Sequence, residues 1–244
     1  MNLDVELILK IIDALGRKED VMQYNIIGDS LPVLLLQLEQ GETVQCESGA
    51  MSWMDKGIRM DTKAGGIGKA VGRMFSGESL FLNHYHAEQA GELALAATFP
   101  GSIRAIEVTP DRPIVAQKSA FLAMIGNVNM SVFFQKKIGA GLVGGEGFIM
   151  QKFEGSGLVF LEIDGTAVEY DLQMGQQKIV DTGYLAMMDA SVSMDVETVG
   201  SLKNAFFGGE GIFNTVLTGP GHIVIQSLPA YVTARNLARY IPSK

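Results

Sequence analysis

From residue 3 to residue 15 the apolar positions Leu3, Leu7, Ile8, Ile11, Ile12 and Leu15 recur every three or four residues, with Asp4, Glu6, Lys10 and Asp13 off that face. This spacing predicts a short amphipathic helix. Gly16 stops it, and Arg17-Lys18-Glu19-Asp20 forms a polar link. After Tyr24 the period falls to about two, in short runs bounded by turn residues. Val33-Leu34-Leu35-Leu36-Gln37-Leu38 reads as a buried strand closed by the turn Glu39-Gln40-Gly41-Glu42. The same unit returns at 105–108 with the turn Thr109-Pro110-Asp111-Arg112, and at 168–172 with the turn Gln173-Met174-Gly175-Gln176. A strand holding Ile58 and Met60 is matched by Val128 and Met130 and by Val192 and Met194, each pair on one strand face. Hairpins close each unit, with Gly and Pro at their tips as in Gly219-Pro220-Gly221. A last helical period, with Ala234, Leu237 and Ile241, predicts a terminal helix from Ala230 to Ile241, stopped by Pro242.

The recurrence is periodic. Gly77-Glu78, Gly145-Glu146-Gly147 and Gly209-Glu210-Gly211 place a Gly-Glu step at 77, 145 and 209. Gly49, Ser119 and Gly183 are 70 and 64 residues apart, and so are Met60, Met130 and Met194. Several markers on one period make the chain a triplicated module of roughly 65 residues. We read residues 1–22 as the N-terminal helix, 23–104, 105–167 and 168–229 as three β modules, and 230–244 as the C-terminal helix and tail. Short strands without long intervening helices give an all-β class, each module a small sandwich or a double-stranded β-helix. Such modules leave sticky edges unless each edge pairs with its neighbour, so closure of a ring, by one chain or by several, is the expected assembly.

Composition narrows the function classes. Apolar residues make up 47% and charged residues 19% of the 244, which fits a chain that hides surface in an oligomer. The net charge of −8 disfavours a general nucleic-acid binder. Cys46 is the single cysteine, which excludes an intramolecular disulfide and suits a reducing cytoplasm. The first residues lack the basic start of a secretory signal, and no apolar run is long enough to span a membrane. The expected location is cytoplasmic or peripheral at a membrane; the first helix packs on the module edge or a neighbouring subunit, and the sharper alternative is a membrane-surface helix, though its polar face lacks the Lys/Arg richness that anionic lipid favours.

The set Gly41-Glu42, Glu47-Ser48-Gly49-Ala50-Met51, Gly65-Gly66, Gly77-Glu78-Ser79-Leu80-Phe81, Pro100-Gly101, Gly145-Glu146-Gly147, Gly209-Glu210-Gly211 and Gly219-Pro220-Gly221 resembles the bacterial branch of the altered-inheritance-of-mitochondria protein family. The resemblance runs from about Tyr24 to Pro229. It implies three tandem modules similar to the tryptophan RNA-binding attenuation protein (TRAP-like) fold, a double-stranded β-helix. It also implies a homotrimer closing a ring of nine modules. The family's eukaryotic members are linked to mitochondrial inner-membrane organisation, and no catalytic residues carry over from it.

Four constellations bear on chemistry. His84 and His86 alternate on one strand, with Glu88 two residues beyond, similar to the H-x-H pair plus Glu of a cupin metal site, although the cupin Glu follows after three or four residues and no further His is placed to join them. The plainer reading is an exposed strand face. Lys63, Lys69, Arg73, Lys136, Lys137 and Lys203 precede the Gly-Glu markers and would form a positive belt around a ring, a candidate site for RNA or another polyanion. Solvated loops are the plainer reading there. Glu78, Glu146 and Glu210 sit between small residues at turns, where a repeated carboxylate serves a repeated ligand or, the plainer reading, caps loop N–H groups or pairs with a base of the neighbouring module. Gly139-x-Gly141-x-x-Gly144 has the letters of a dinucleotide fingerprint but leads into a hairpin, without the helix that would meet a pyrophosphate. No nucleophile and base pair stands out, and no cofactor is expected. The sequence therefore reads as a non-enzymatic ring-forming scaffold, with polyanion binding and a metal or small ligand at His84 and His86 as alternatives.

Overall fold

The alternating runs become seventeen strands, β1 to β17, in a computed structural model that describes residues 22–61, 82–136, 147–198, 213–238 and 240–241. The predicted helix at 3–15 lies outside the described residues, as do Gly77, Glu78, Gly145, Glu146, Gly209, Glu210 and Gly211. Gly147 is described, and has the positive φ of 85° that glycine adopts without strain.

One pairing pattern occurs three times. In each set of strands six positions, a to f in chain order, pair antiparallel as a–f–c and b–e–d. The first set is β2 (Val33–Leu38), β3 (Thr43–Glu47), β4 (Met51–Met54), β5 (Ile58–Asp61), β6 (Leu82–Ala87) and β7 (Gly91–Ala96). In the second, a is β8 (Gly101–Val108) and b is β9 (Ile114–Gln117), while β10 (Phe121–Lys136) carries c and d, and β11 (Phe148–Asp164) carries e and f. The third is β12 (Ala167–Leu172), β13 (Gln177–Asp181), β14 (Leu185–Asp189), β15 (Ser193–Thr198), β16 (Phe213–Thr218) and β17 (Gly221–Gln226). The c–f ladder slips at the same place each time, between Met51 and Trp53, Phe121 and Ala123, and Leu185 and Met187. Such bulges bend a strand and increase its twist.

The long strands of the second set depend on glycine. Gly126 (φ 84°) and Gly155 (φ 119°) sit where β10 and β11 pass from one ladder to the other. A Cβ on Gly155 would run into the Asn127 carbonyl, so the strand stays continuous only with glycine there. β8 begins at Gly101, ahead of the 105 read from sequence, because Gly101 pairs with Asp164 and no side chain fits against the Ile163 carbonyl.

Neighbouring sets join by one rule: strand c of a set pairs strand b of the set before. β10 meets β3 through Ala123↔Cys46 and Met124↔Gln45, and β14 meets β9 through Met187↔Ala116, Met188↔Val115 and Asp189↔Ile114. Side chains cross the seams too. The first core includes Leu122, Ala123 and Phe160 of the second set. The second core includes Ala186, Met187 and Val224 of the third. Cys46 lies inside the first seam, and burial, with the nearby charge of Glu47, pushes its thiol up to about 12, which makes it a small core hydrophobe.

α1 (Ala230–Ala238) closes the described chain. It ends at Ala238, short of the Ile241 expected from periodicity, and none of its residues is buried. Its first turn is tied down: Ala230 N donates to Asp164 Oδ2 (2.8 Å) and Leu228 N to the Asp164 carbonyl (3.2 Å). Tyr231 lies against Gly183, where a Cβ would overlap its ring. Burial pushes the Asp164 carboxyl up to about 6 and the charge of Glu162 adds to that, against the Ala230 N–H, which favours the anion. A carboxyl whose folded pKa is raised stabilises the fold below its ordinary 3.8, and that contribution is lost as pH rises through about 6. Asp164→Asn keeps the acceptor for Ala230 without the ionisation. The variant is expected to melt like the parent near pH 4 and higher by roughly 2–4 °C near pH 8, for about 1 kcal/mol after solvent screening. Scanning calorimetry at the two pH values checks this; a variant less stable at pH 8 contradicts it.

Candidate functional site at two open strand edges

The pairing rule leaves two strands without the partner it assigns. Strand c of the first set, β4, pairs only with β7, and strand b of the third set, β13, pairs only with β16, among the described residues. Among the described residues, β4 and β13 do not pair with each other. Each edge exposes a large apolar side chain to solvent. Trp53 is 47% exposed and Ile179 is 65% exposed. At the two internal seams the residues equivalent to Trp53, which are Ala123 and Met187, are buried.

Carried forward by the 70- and 64-residue periods, the two internal registers would set Trp53 opposite Val180, Met54 opposite Ile179, and Asp55 opposite Lys178 were a second copy to add at these edges. The last pair is of opposite charge, and opposed charges across strands stabilise by a few tenths of a kcal/mol, up to about 1. Lys178 Nζ lies over the Tyr170 ring, 3.7 Å from its centre. Asp55 is fixed by accepting from Glu92 N (2.9 Å). Trp53 Nε1 donates to Glu92 Oε1 (3.2 Å), so the indole already lies along the edge. The third core also lacks what the other two take from the following set: Ser52, Trp53 and Ala94 of the first set stand where Leu122, Ala123 and Phe160, or Ala186, Met187 and Val224, stand at the internal seams.

The residues singled out in sequence are distributed differently. His84 and His86 share one half-buried face of β6, opposite buried Tyr85, as alternation requires. Glu88 turns to Arg59, with Oε1 2.6 Å from Nε. Among the described residues no three His, Cys, Asp or Glu side chains converge as a metal set. Lys63, Lys69, Arg73, Lys137 and Lys203 lie outside the described residues, and Lys136 ends β10, opposite Phe148. Trp53 and Ile179 were not singled out, because a strand's missing neighbour is a property of the assembled sheet. The signal was the triplication itself, which leaves the first c and the last b unmatched in any linear array. Among the described residues no helix is long and apolar enough to cross a membrane.

A family model described as mitochondrial biogenesis AIM24 matches residues 24–228. An uncharacterised protein of Streptococcus pyogenes serotype M6 is 31% identical over 222 residues, covering 87% of this chain and 88% of that relative. An X-ray structure of a Streptococcus pyogenes protein superimposes with a TM-score of 0.77 at 28% identity, covering 90% of this chain and all of that one.

Proposed function

The chain belongs to the mitochondrial biogenesis AIM24 family, and from that premise we propose that it is a non-enzymatic scaffold whose copies join edge to edge, β4 of one on β13 of the next. The observation that carries this reading is the pair of unmatched edges, one of type c and one of type b, left by a pairing rule that both internal seams obey. Head-to-tail joints of one kind close into a ring when the rotation per unit allows it. Three chains of three TRAP-like modules each would make a ring of nine. The threefold a–f–c and b–e–d pairing supports the tandem modules, and the apolar Trp53, Met54 and Ile179 support burial of the edges. Light scattering on the full-length protein tests the reading. A mass of three chains that persists on dilution is the expected result, and a single-chain mass at all concentrations rejects it.

A further inference from the structure

β1 (Gln23–Ile27) stands outside the threefold pattern. It pairs with β2 alone, and sets Tyr24, Asn25 and Ile26 opposite Leu36, Leu35 and Leu34. The Tyr24 ring meets Phe160 of the second set edge-on, with centroids 5.1 Å apart. The chain thus fills, with its own strand, a groove between strand a of the first set and strand f of the second. The corresponding groove between the second and third sets is open. It is a cavity of about 280 Å³ lined by Arg104, Ala105 and Ile106 of β8 and by Val224 and His222 of β17, among others. Arg104, Ala105 and Ile106 lie 70 residues after Leu34, Leu35 and Leu36, and Val224 lies 64 after Phe160. The space therefore coincides with the place β1 takes one seam earlier. β8 pairs only with β11 among the described residues, which leaves its far edge open to a further strand.

We propose that this groove binds an extended peptide strand free of acidic residues and carrying an aromatic side chain, added to the open edge of β8 as β1 is added to β2. The rim argues against an acidic strand. Arg104 faces Glu169 at 3.4 Å, Arg112 faces Asp189 at 3.4 Å, and His222 Nδ1 lies 2.7 Å from Asp171 Oδ1. Both arginines already have a carboxylate, so an acidic occupant would gain no open counter-charge. The floor of Ile106, Leu161, Met187 and Val224 is apolar. The volume is below the roughly 300–1,000 Å³ usual for drug-sized ligands and suits one aromatic residue anchored by main-chain hydrogen bonds. β1 itself, Gln-Tyr-Asn-Ile-Ile, is such a segment. The site lies within one chain and does not depend on ring closure.

The test uses a fluorescent peptide of residues 22–28, capped at both ends, titrated into the full-length protein and followed by anisotropy and amide hydrogen exchange. Saturable binding is expected, with new protection on β8, at least about tenfold weaker for the same peptide carrying Tyr24→Ala. Ile106→Glu in the protein is expected to weaken binding of the native peptide by at least about tenfold. Should that variant fold poorly, the exchange map of the unaltered protein still locates the peptide. No saturable binding, binding that Ile106→Glu leaves unchanged, or protection gained on β2 instead of β8 overturns the proposal. Concentration-dependent protection of β8 in the protein alone, without binding of the peptide, gives the groove to a second copy and overturns it as well.

Discussion

Ile179→Lys is expected to reduce the assembled protein to single chains while leaving each chain folded. The side chain is 65% exposed at the open edge of β13, so lysine there meets water and costs the isolated chain little. In a β4–β13 joint the same position faces Met54 of the next copy, and an unpaired ammonium would be withdrawn from water against an apolar partner. A penalty of even about 3 kcal/mol per joint is roughly a hundredfold in each association constant. A closed ring suffers it at every joint. Light scattering over a dilution series should show a one-chain mass for the variant where the parent keeps the larger one. Met174→Lys is the control, because Met174 is 85% exposed at the β12–β13 turn, and the equivalent Gln40 and Pro110 stay exposed beside the internal seams. A parent and an Ile179→Lys protein of the same multimeric mass would remove β13 from the joint.

How far the sequence carried this reading depends on the range of each interaction. Gly41 and Gly175, with φ of 93° and 75°, are turns any reader of the sequence would mark, because the chain reverses within four residues there. The 70- and 64-residue offsets were equally plain, and the bulges at Met51, Phe121 and Leu185 keep to them. Nothing local says that β3 pairs β10 across the first seam, since that contact joins residues far apart in the chain and depends on both sheets existing. The i, i+2 rule placed Ile58 and Met60 on one face, but Ile58 is buried while Met60 is 45% exposed, with its Sδ accepting from Tyr85 at the end of an outer strand. Alternation gives the face a side chain points to and not whether the sheet continues far enough to cover it. The same holds for α1, whose Leu237 remains 59% exposed. His222, the third histidine, carries no motif; it matters because β12 sets Asp171 directly across from it.

Phe160→Ala is the substitution expected to cost the most stability, and it tests whether the three sets fold as one. Phe160 has no exposed surface and belongs to strand f of the second set, yet it lies in the core of the first and carries Tyr24 on its edge. Removing a fully buried ring costs about 3–5 kcal/mol, because the lost transfer energy is joined by the cavity left behind. For a chain of this length that lowers Tm by roughly 6–20 °C. Val224→Ala, at the matching position of the next seam, removes less apolar surface, and about 1–3 kcal/mol is expected. Tyr24→Ala should cost less than Phe160→Ala, since Tyr24 is already 40% exposed. The shape of the transition is as informative as its midpoint. If the seams bind the sets into one cooperative unit, Phe160→Ala shifts a single calorimetric transition downward. If each set stands alone, the first set should melt early and split the transition in two. The shared cores, in which Phe160 completes the first set and Val224 the second, argue for the single shift.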